Sequence, residues 1–273
     1  MITIPGDGAG SRAAVMPRRL DRFLKGLTGV VLSGVLWQAA LAVGLLPRAF
    51  TPTVLDVVRA AAAGLLGGDL LFAAADTIEA WAFGLAIAIC LAVPFGLLLG
   101  LSRLADDASG VVVRFMRPIP SVALIPVAIL FAGLGLSMKL ILVVFACSWP
   151  LLFNSRYGVR HVEPLLLDTG RVFGVSGLAL VRWVVLPSAL PSIFTGLRVS
   201  SAIALVVAIA AELVSGSGGL GQYILSARVA GQVPETYAAI FIGGLLSYAA
   251  NAGVLALEGW LLAWNVGYRE ATA

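Results

Sequence analysis

Long uncharged stretches alternate with short charged ones along this chain. Residues 26–47, 81–102, 118–138, 140–155 and 238–257 contain no Asp, Glu, Lys, Arg or His. A helix that crosses the hydrocarbon core of a bilayer takes roughly 20 mostly apolar residues. Four of these runs meet that length, and 140–155 meets it with Lys139 and Arg156 snorkelling at its ends. A sixth run, around 192–214, is broken only by Arg198 near one end and Glu212 near the other. Transmembrane β-strands alternate apolar and polar side chains over about ten residues; these runs are continuous and too long for that. The pattern predicts an all-α integral membrane protein, a polytopic bundle of about six transmembrane helices. Between the first and second runs, Val54, Leu55, Val58, Ala61, Ala62, Leu65 and Leu66 recur at helical spacing, which predicts an amphipathic helix within 47–71.

Composition excludes the soluble alternative. Sixty per cent of the residues are hydrophobic and 12% are charged, against roughly 45–50% and about 25% in a soluble domain. The charges also set an orientation. With residues 1–25 placed in the cytoplasm and each run alternating, thirteen Lys and Arg fall on the inner side and four on the outer. The positive-inside rule then puts both termini in the cytoplasm and accounts for the basic excess without nucleic acid. The expected organisation is a tail over 1–25, a transmembrane domain over 26–268 and a second tail over 269–273. Cys90 and Cys147 both lie in predicted spans, and His161 is the single histidine; neither disulfide framework nor metal spacing arises. Glycines 84, 96 and 100, and 243, 244 and 253, are positions where helices can approach closely. The second span is expected to end in a charged turn, Ser102–Asp107, and the third to carry Pro118, Pro120 and Pro126.

The one sizeable inner loop, about 157–190, is patterned. Pro164 can open a short helix with Leu165, Thr169 and Val172, and Leu166 with Phe173, on one apolar face. Gly174 breaks it, and Ser176 can cap a second helix ending at Leu186–Pro187. Spacing alone leaves open whether this hairpin packs on its own bundle or on a partner.

The stretch Asp168–Leu190 (DTGRVFGVSGLALVRWVVLPSAL) resembles the coupling loop of permease subunits of ATP-binding-cassette (ABC) importers of the binding-protein-dependent type. Asp168, Thr169 and Gly170 stand where that family has Glu-Ala-Ala, Gly174 at its glycine, and Leu186 and Pro187 at its closing Leu-Pro. The text after it, Leu190–Arg198, and Ala211-Glu212-Leu213 followed by Gly218-Gly219-Leu220-Gly221, is similar to the sulfonate, taurine and nitrate branch. The resemblance runs from about Pro47 to the C-terminus. It implies a permease subunit in a bacterial inner membrane, forming the pathway for a small solute such as a sulfonate, taurine or nitrate. The implied partners are a second permease subunit, an extracytoplasmic substrate-binding protein and a dimer of cytoplasmic ATPases. ATP and Mg belong to the ATPases, and this chain needs no cofactor. Gly170, in place of Ala, costs about 1 kcal/mol in a helix, so the first coupling helix is expected to be shorter or looser than usual. The chain holds no G-x-x-x-x-G-K-[ST] phosphate loop of its own.

A charge at the bilayer centre costs roughly 2.5–3.5 kcal/mol, so Glu212 needs an explanation. It stands just before the glycines, and Glu212, Gly218, Gly219 and Gly221 are candidates for the outer gate of the pathway. A hydrogen-bonded structural carboxylate is the competing reading. Arg198 is expected to snorkel at the inner end and Glu258 to be structural. Ser148, Asn154, Ser200, Ser201 and Asn251 are polar groups able to line a cavity. The alternative function is a secondary transporter driven by an ion gradient, which needs a midplane ion site.

Overall fold

The computed structural model describes residues 18–264, and every regular element among them is helical. The predicted tails therefore lie largely outside the described residues. The chain divides into two units, Met1–Asp56 and Val57–Ala273. In the first, helix α1 (Arg18–Ala42) carries an apolar stretch, Thr28–Ala42. Its closing segment turns into α2 (Val54–Gly67) through a capping box. The Asp56 N–H donates to Thr53 Oγ1 at 3.2 Å, and the Thr53 N–H donates back to Asp56 Oδ2 at 3.3 Å.

The second unit holds α3 (Asp69–Leu101), α4 (Arg103–Met116), α5 (Ile125–Ala132), α6 (Leu136–Arg160), α7 (Pro164–Val172) and α8 (Gly177–Leu180). It continues with α9 (Leu186–Ser215), α10 (Gly219–Val229) and α11 (Val233–Leu261). Among the described residues four helices are long and apolar enough to cross a membrane: α3, α6, the continuous stretch Gly177–Ser215, and α11. The bent pair α4 and Ser121–Ala132 makes a fifth candidate. Counted with the shorter apolar helix Thr28–Ala42 of α1, these four or five candidates among the described residues make up the polytopic helical bundle expected, at about six helices, from the sequence.

Two of the expected boundaries change for local reasons. Ser102–Asp107 is not a turn: Ser102 caps α4, its Oγ accepting the Ala105 N–H at 3.2 Å. The expected third span, 118–138, is not one helix. The chain turns by 81° between α4 and the helical segment Ser121–Ala132, with Pro120 extended at the turn. Gly133 and Gly135, at φ +71° and +114°, then end α5 and precede α6.

Helix α6 lies between α3 and α9, and glycines make both contacts close. A Cβ on Gly96 would lie 2.8 Å from Ser155 Cβ and overlap the Leu152 carbonyl; on Gly100 it would lie 2.6 Å from Val159 Cβ. Gly96 and Gly100 form a small-xxx-small pair on α3 facing α6. On the other side, a Cβ on Gly196 of α9 would lie 2.9 Å from the Pro150 carbonyl, and one on Gly158 of α6 would lie 2.9 Å from the Ala189 carbonyl. Gly84 fits the same expectation, whereas Gly244 and Gly253 face open space. Leu142, Cys147, Leu151, Ala204 and Ala208 fill the resulting core and are fully buried. Gly96→Val should therefore separate α3 from α6, at the upper end of the about 1–3 kcal/mol typical of overpacking. Thermal unfolding in detergent checks this, with Gly244→Val as the silent control.

Candidate functional site

At one end of the second unit, α3, α6, α9 and α10 converge on a single carboxylate. Glu212 is fully buried, and Lys139 of α6 reaches it with Nζ 2.9 Å from Oε1. Thr77 of α3 has its Oγ1 2.9 Å from Oε2 and itself accepts the Leu220 N–H at 2.9 Å. The Gly221 N–H donates to Oε2 at 3.0 Å. The negative charge thus sits against the amino end of α10, where free N–H groups and the helix dipole favour it.

The glycines of this segment fit that geometry. Gly216 ends α9 in the left-handed region, and Gly218 and Gly219 follow at φ +65° and +86°. A Cβ on Gly219 would overlap the Glu212 carboxylate, and one on Gly221 would lie 2.6 Å from Glu212 Cβ. The Gly218 N–H donates to the Gln222 side chain, and its carbonyl lies 3.4 Å from Lys139 Nζ. Glu212, Gly218, Gly219 and Gly221 are therefore brought together, with Thr77 and Lys139 as partners that the sequence reading missed. The Lys139 ammonium occupies the place beside the carboxylate that a transported cation would need. A pocket of about 410 Å³ lined by Asp76, Glu79, Lys139 and Gly218 opens beside the pair.

The coupling candidates lie at the other end. Pro164 starts α7 at its first turn, as expected. Leu165, Val172 and Phe173 are 67%, 84% and 79% exposed, an apolar face left uncovered by the described residues. Asp168 is exposed and pairs with Arg171 at 2.9 Å, and Thr169 Oγ1 donates to the Leu165 carbonyl at 2.7 Å. Gly174 follows at φ +78°. Gly170 is buried, and a Cβ there would meet Leu180 Cδ1 at 2.8 Å. It lets α7 lie close to the next segment, and α7 keeps nine residues.

The second helix differs from expectation. It does not end at Leu186–Pro187 but passes through a π-helical turn, Val181–Val185, directly into α9. The Leu186 N–H bonds the Val181 carbonyl, five residues back. A widened turn just before Pro187 accommodates the missing donor of the proline without ending the helix. Ser176 stands at the cap position in extended backbone but makes no side-chain cap bond. Leu186 packs against the Val159–Val185–Ile193 cluster, so the loop is rooted in the bundle.

Three further ion pairs tie this end together. Arg198 does not simply snorkel: its Nη2 lies 2.5 Å from Glu258 Oε2, joining α9 to α11. Asp106 Oδ2 accepts from Arg156 Nη2 at 2.8 Å and Arg160 Nη2 at 2.7 Å, joining α4 to α6. Of the polar candidates, Ser148 and Asn154 bond carbonyls of their own helix, and Ser200 Oγ donates to the Cys147 carbonyl at 2.9 Å.

Residues 92–264 match the family model described as "Binding-protein-dependent transport system inner membrane component". The putative aliphatic sulfonates transport permease protein SsuC of Escherichia coli (strain K12) is 33% identical over 86% of this chain and 90% of its own length. The taurine transport system permease protein TauC of the same organism is 28% identical over 65% of each chain. Among solved structures, an inward-facing conformation of the MetNI methionine ABC transporter shares the fold. Its TM-score is 0.60 at 18% identity, over 68% of this chain and 93% of that one. The coupling-loop motif, the helical membrane bundle and these matches agree: the chain belongs to the binding-protein-dependent transport system inner membrane component family, as an ABC importer permease subunit of the sulfonate, taurine and nitrate branch.

Proposed function

We propose that this permease carries a small anion of the sulfonate class inward across a bacterial inner membrane, driven by a separate ATPase dimer. The observation that carries the coupling part is the α7 face of Leu165, Val172 and Phe173, exposed beyond the bundle on a short helix closed by Gly174. Apolar groups grouped in this way suit a cleft on a protein partner. Because α7 is joined through Gly174 to the 39-residue stretch Gly177–Ser215, which contains the π-turn, motion of the hairpin is delivered to a long helix rather than to a slack loop. That stretch ends beside Glu212 and the glycine segment, which we assign to the outer gate. ATPase closure biases one of two states of the bundle, and the lever needs no chemistry of its own.

In this reading a second permease subunit completes the pathway and an extracytoplasmic binding protein delivers the substrate. ATP and Mg are held by the ATPases. The sulfonate assignment is supported by the names of the relatives SsuC and TauC. Reconstituted with its ATPase and binding protein, the complex is expected to take up an aliphatic sulfonate on addition of ATP; uptake of methionine with no uptake of any sulfonate would contradict the assignment.

The orientation follows the charge bias, with both termini cytoplasmic. Position 5 lies outside the described residues but still serves as a reporter. Pro5→Cys should resist an impermeant thiol reagent in intact cells and react after lysis. Labelling before lysis would reverse the topology.

A further inference from the structure

Beside the Asp106 pairs, a cavity of about 510 Å³ opens at the coupling-loop end, lined by Arg117, Arg156, Arg160 and His161 with Phe153 and Tyr157 as walls. Arginines are common at this end of any inner-membrane protein, but a scatter of snorkelling side chains would point away from one another. These converge. Asp106 holds Arg156 and Arg160 through a single oxygen, Oδ2, so one carboxylate engages two guanidinium groups. Arg117 is held by the face of Phe153, its Cζ 4.8 Å from the ring centre, and has no carboxylate partner among the described residues. Arg156 Nε is buried with no acceptor among the described residues, although leaving a buried donor unmade costs about 1–3 kcal/mol. Tyr157 and His161 stack at 3.7 Å and fix one wall. Asp107 lines a neighbouring pocket with Asp106 and Arg114; that pocket shares Phe153 and Arg156 with this cavity.

We propose that this cavity binds a compact oxyanion, a sulfonate or a phosphate-type group, between Arg117 and the Arg156–Arg160 pair. Guanidinium groups fixed by a carboxylate and by a ring present their remaining N–H donors in a set geometry, which suits the several oxygens of such a group. The inference rests on the anion reading above and deepens it. On the substrate side it gives the anion an arginine-lined station at the cytoplasmic mouth, after the outer gate. The same chemistry also fits the phosphate of an anionic lipid.

The test uses the full permease–ATPase complex in nanodiscs of phosphatidylcholine alone, titrated calorimetrically with sodium methanesulfonate. Saturable binding is expected, weakened at least tenfold by Arg117→Gln and only partly restored by Arg117→Lys, which returns the charge without the planar fork of donors. Arg228→Gln, which removes an arginine from the end of α10, should leave binding as it was. A parallel arm holds the complex in discs containing phosphatidylglycerol and counts retained lipid by native mass spectrometry. Lipid retained by the wild type and lost in Arg117→Gln, with no methanesulfonate binding, keeps the oxyanion site and overturns its use by substrate. Neither methanesulfonate binding nor Arg117-dependent lipid retention overturns the proposal. Binding-protein-stimulated ATP hydrolysis by the wild-type complex is measured alongside: if it is intact while both arms fail, only this inference falls, and if it is absent, the permease reading fails first.

Discussion

Lys139→Met is expected to be among the most destabilising single substitutions in the membrane bundle, by about 3–5 kcal/mol. It would leave the Glu212 carboxylate, which has no exposed surface, without its cation. The remaining donors, Thr77 Oγ1 and the Gly221 N–H, cannot neutralise it. The folded yield in detergent and the melting temperature should both fall sharply. Combining Lys139→Met with Glu212→Gln removes the stranded charge while keeping an oxygen for those donors, so most of the stability should return. If the double variant is as unstable as the single one, charge pairing is not what the two residues provide. The double variant also separates structure from gating. Restored stability with lost uptake would place the pair in the gate, and restored uptake would leave it a structural clasp. Gly219→Val belongs to the same cluster. The sequence suggests that it would impair uptake and leave assembly intact, but a side chain there overlaps the carboxylate, so assembly should suffer as well.

Gly174→Val should abolish coupling while leaving the spans in place. Gly174 stands at φ +78°, and a Cβ there would meet nothing within 4 Å, so the penalty is one of backbone conformation alone. A β-branched residue resists that region, by about 1–2 kcal/mol or more, and the α7–α8 turn should reorganise to avoid it. We expect normal insertion and an unchanged melting temperature of the bundle, with ATPase association and stimulated hydrolysis reduced at least tenfold. Asp168→Lys probes the acid separately. Its pair with Arg171 is exposed on both sides, and such pairs are worth about 0.2–1 kcal/mol, so any large loss of stimulated hydrolysis would come from the partner. Full coupling in both variants would reduce the hairpin to a connector.

Length and hydropathy made the four long helices legible: α3 and α11 hold charge-free runs of twenty residues or more, and in α6 and α9 the few charges stand near the ends of the apolar run. They misread 118–138 for the same reason: Ile, Val, Ala and Leu give it the hydropathy of a span, while Pro118, Pro120 and Gly133–Gly135 decide its path. The hairpin was legible to Gly174, which ends α7 as its sequence position predicts and does so at positive φ, because α7 is governed locally by Pro164 and the glycine. Its second half was not. Leu186–Pro187 reads as a stop signal, and only the π-helical turn upstream shows how a helix can pass through it. The partner of Glu212 was hidden by distance along the chain, since Lys139 lies 73 residues away. The signal that could have found it was its place: two opposite charges, each about one turn inside a span end, both assigned by alternation to the same side. Arg198 and Glu258 carried a similar signal at the other end.

The proposed function requires energy to arrive from outside this chain through α7. The direct measurement co-reconstitutes the full-length permease with its ATPase and binding protein in proteoliposomes, and follows ATP hydrolysis and solute uptake together. The expected result is hydrolysis stimulated by the loaded binding protein, uptake only when ATP is present, and loss of both with Gly174→Val. Uptake that proceeds without the ATPase, driven by a proton or sodium gradient and unaffected by Gly174→Val, would contradict it.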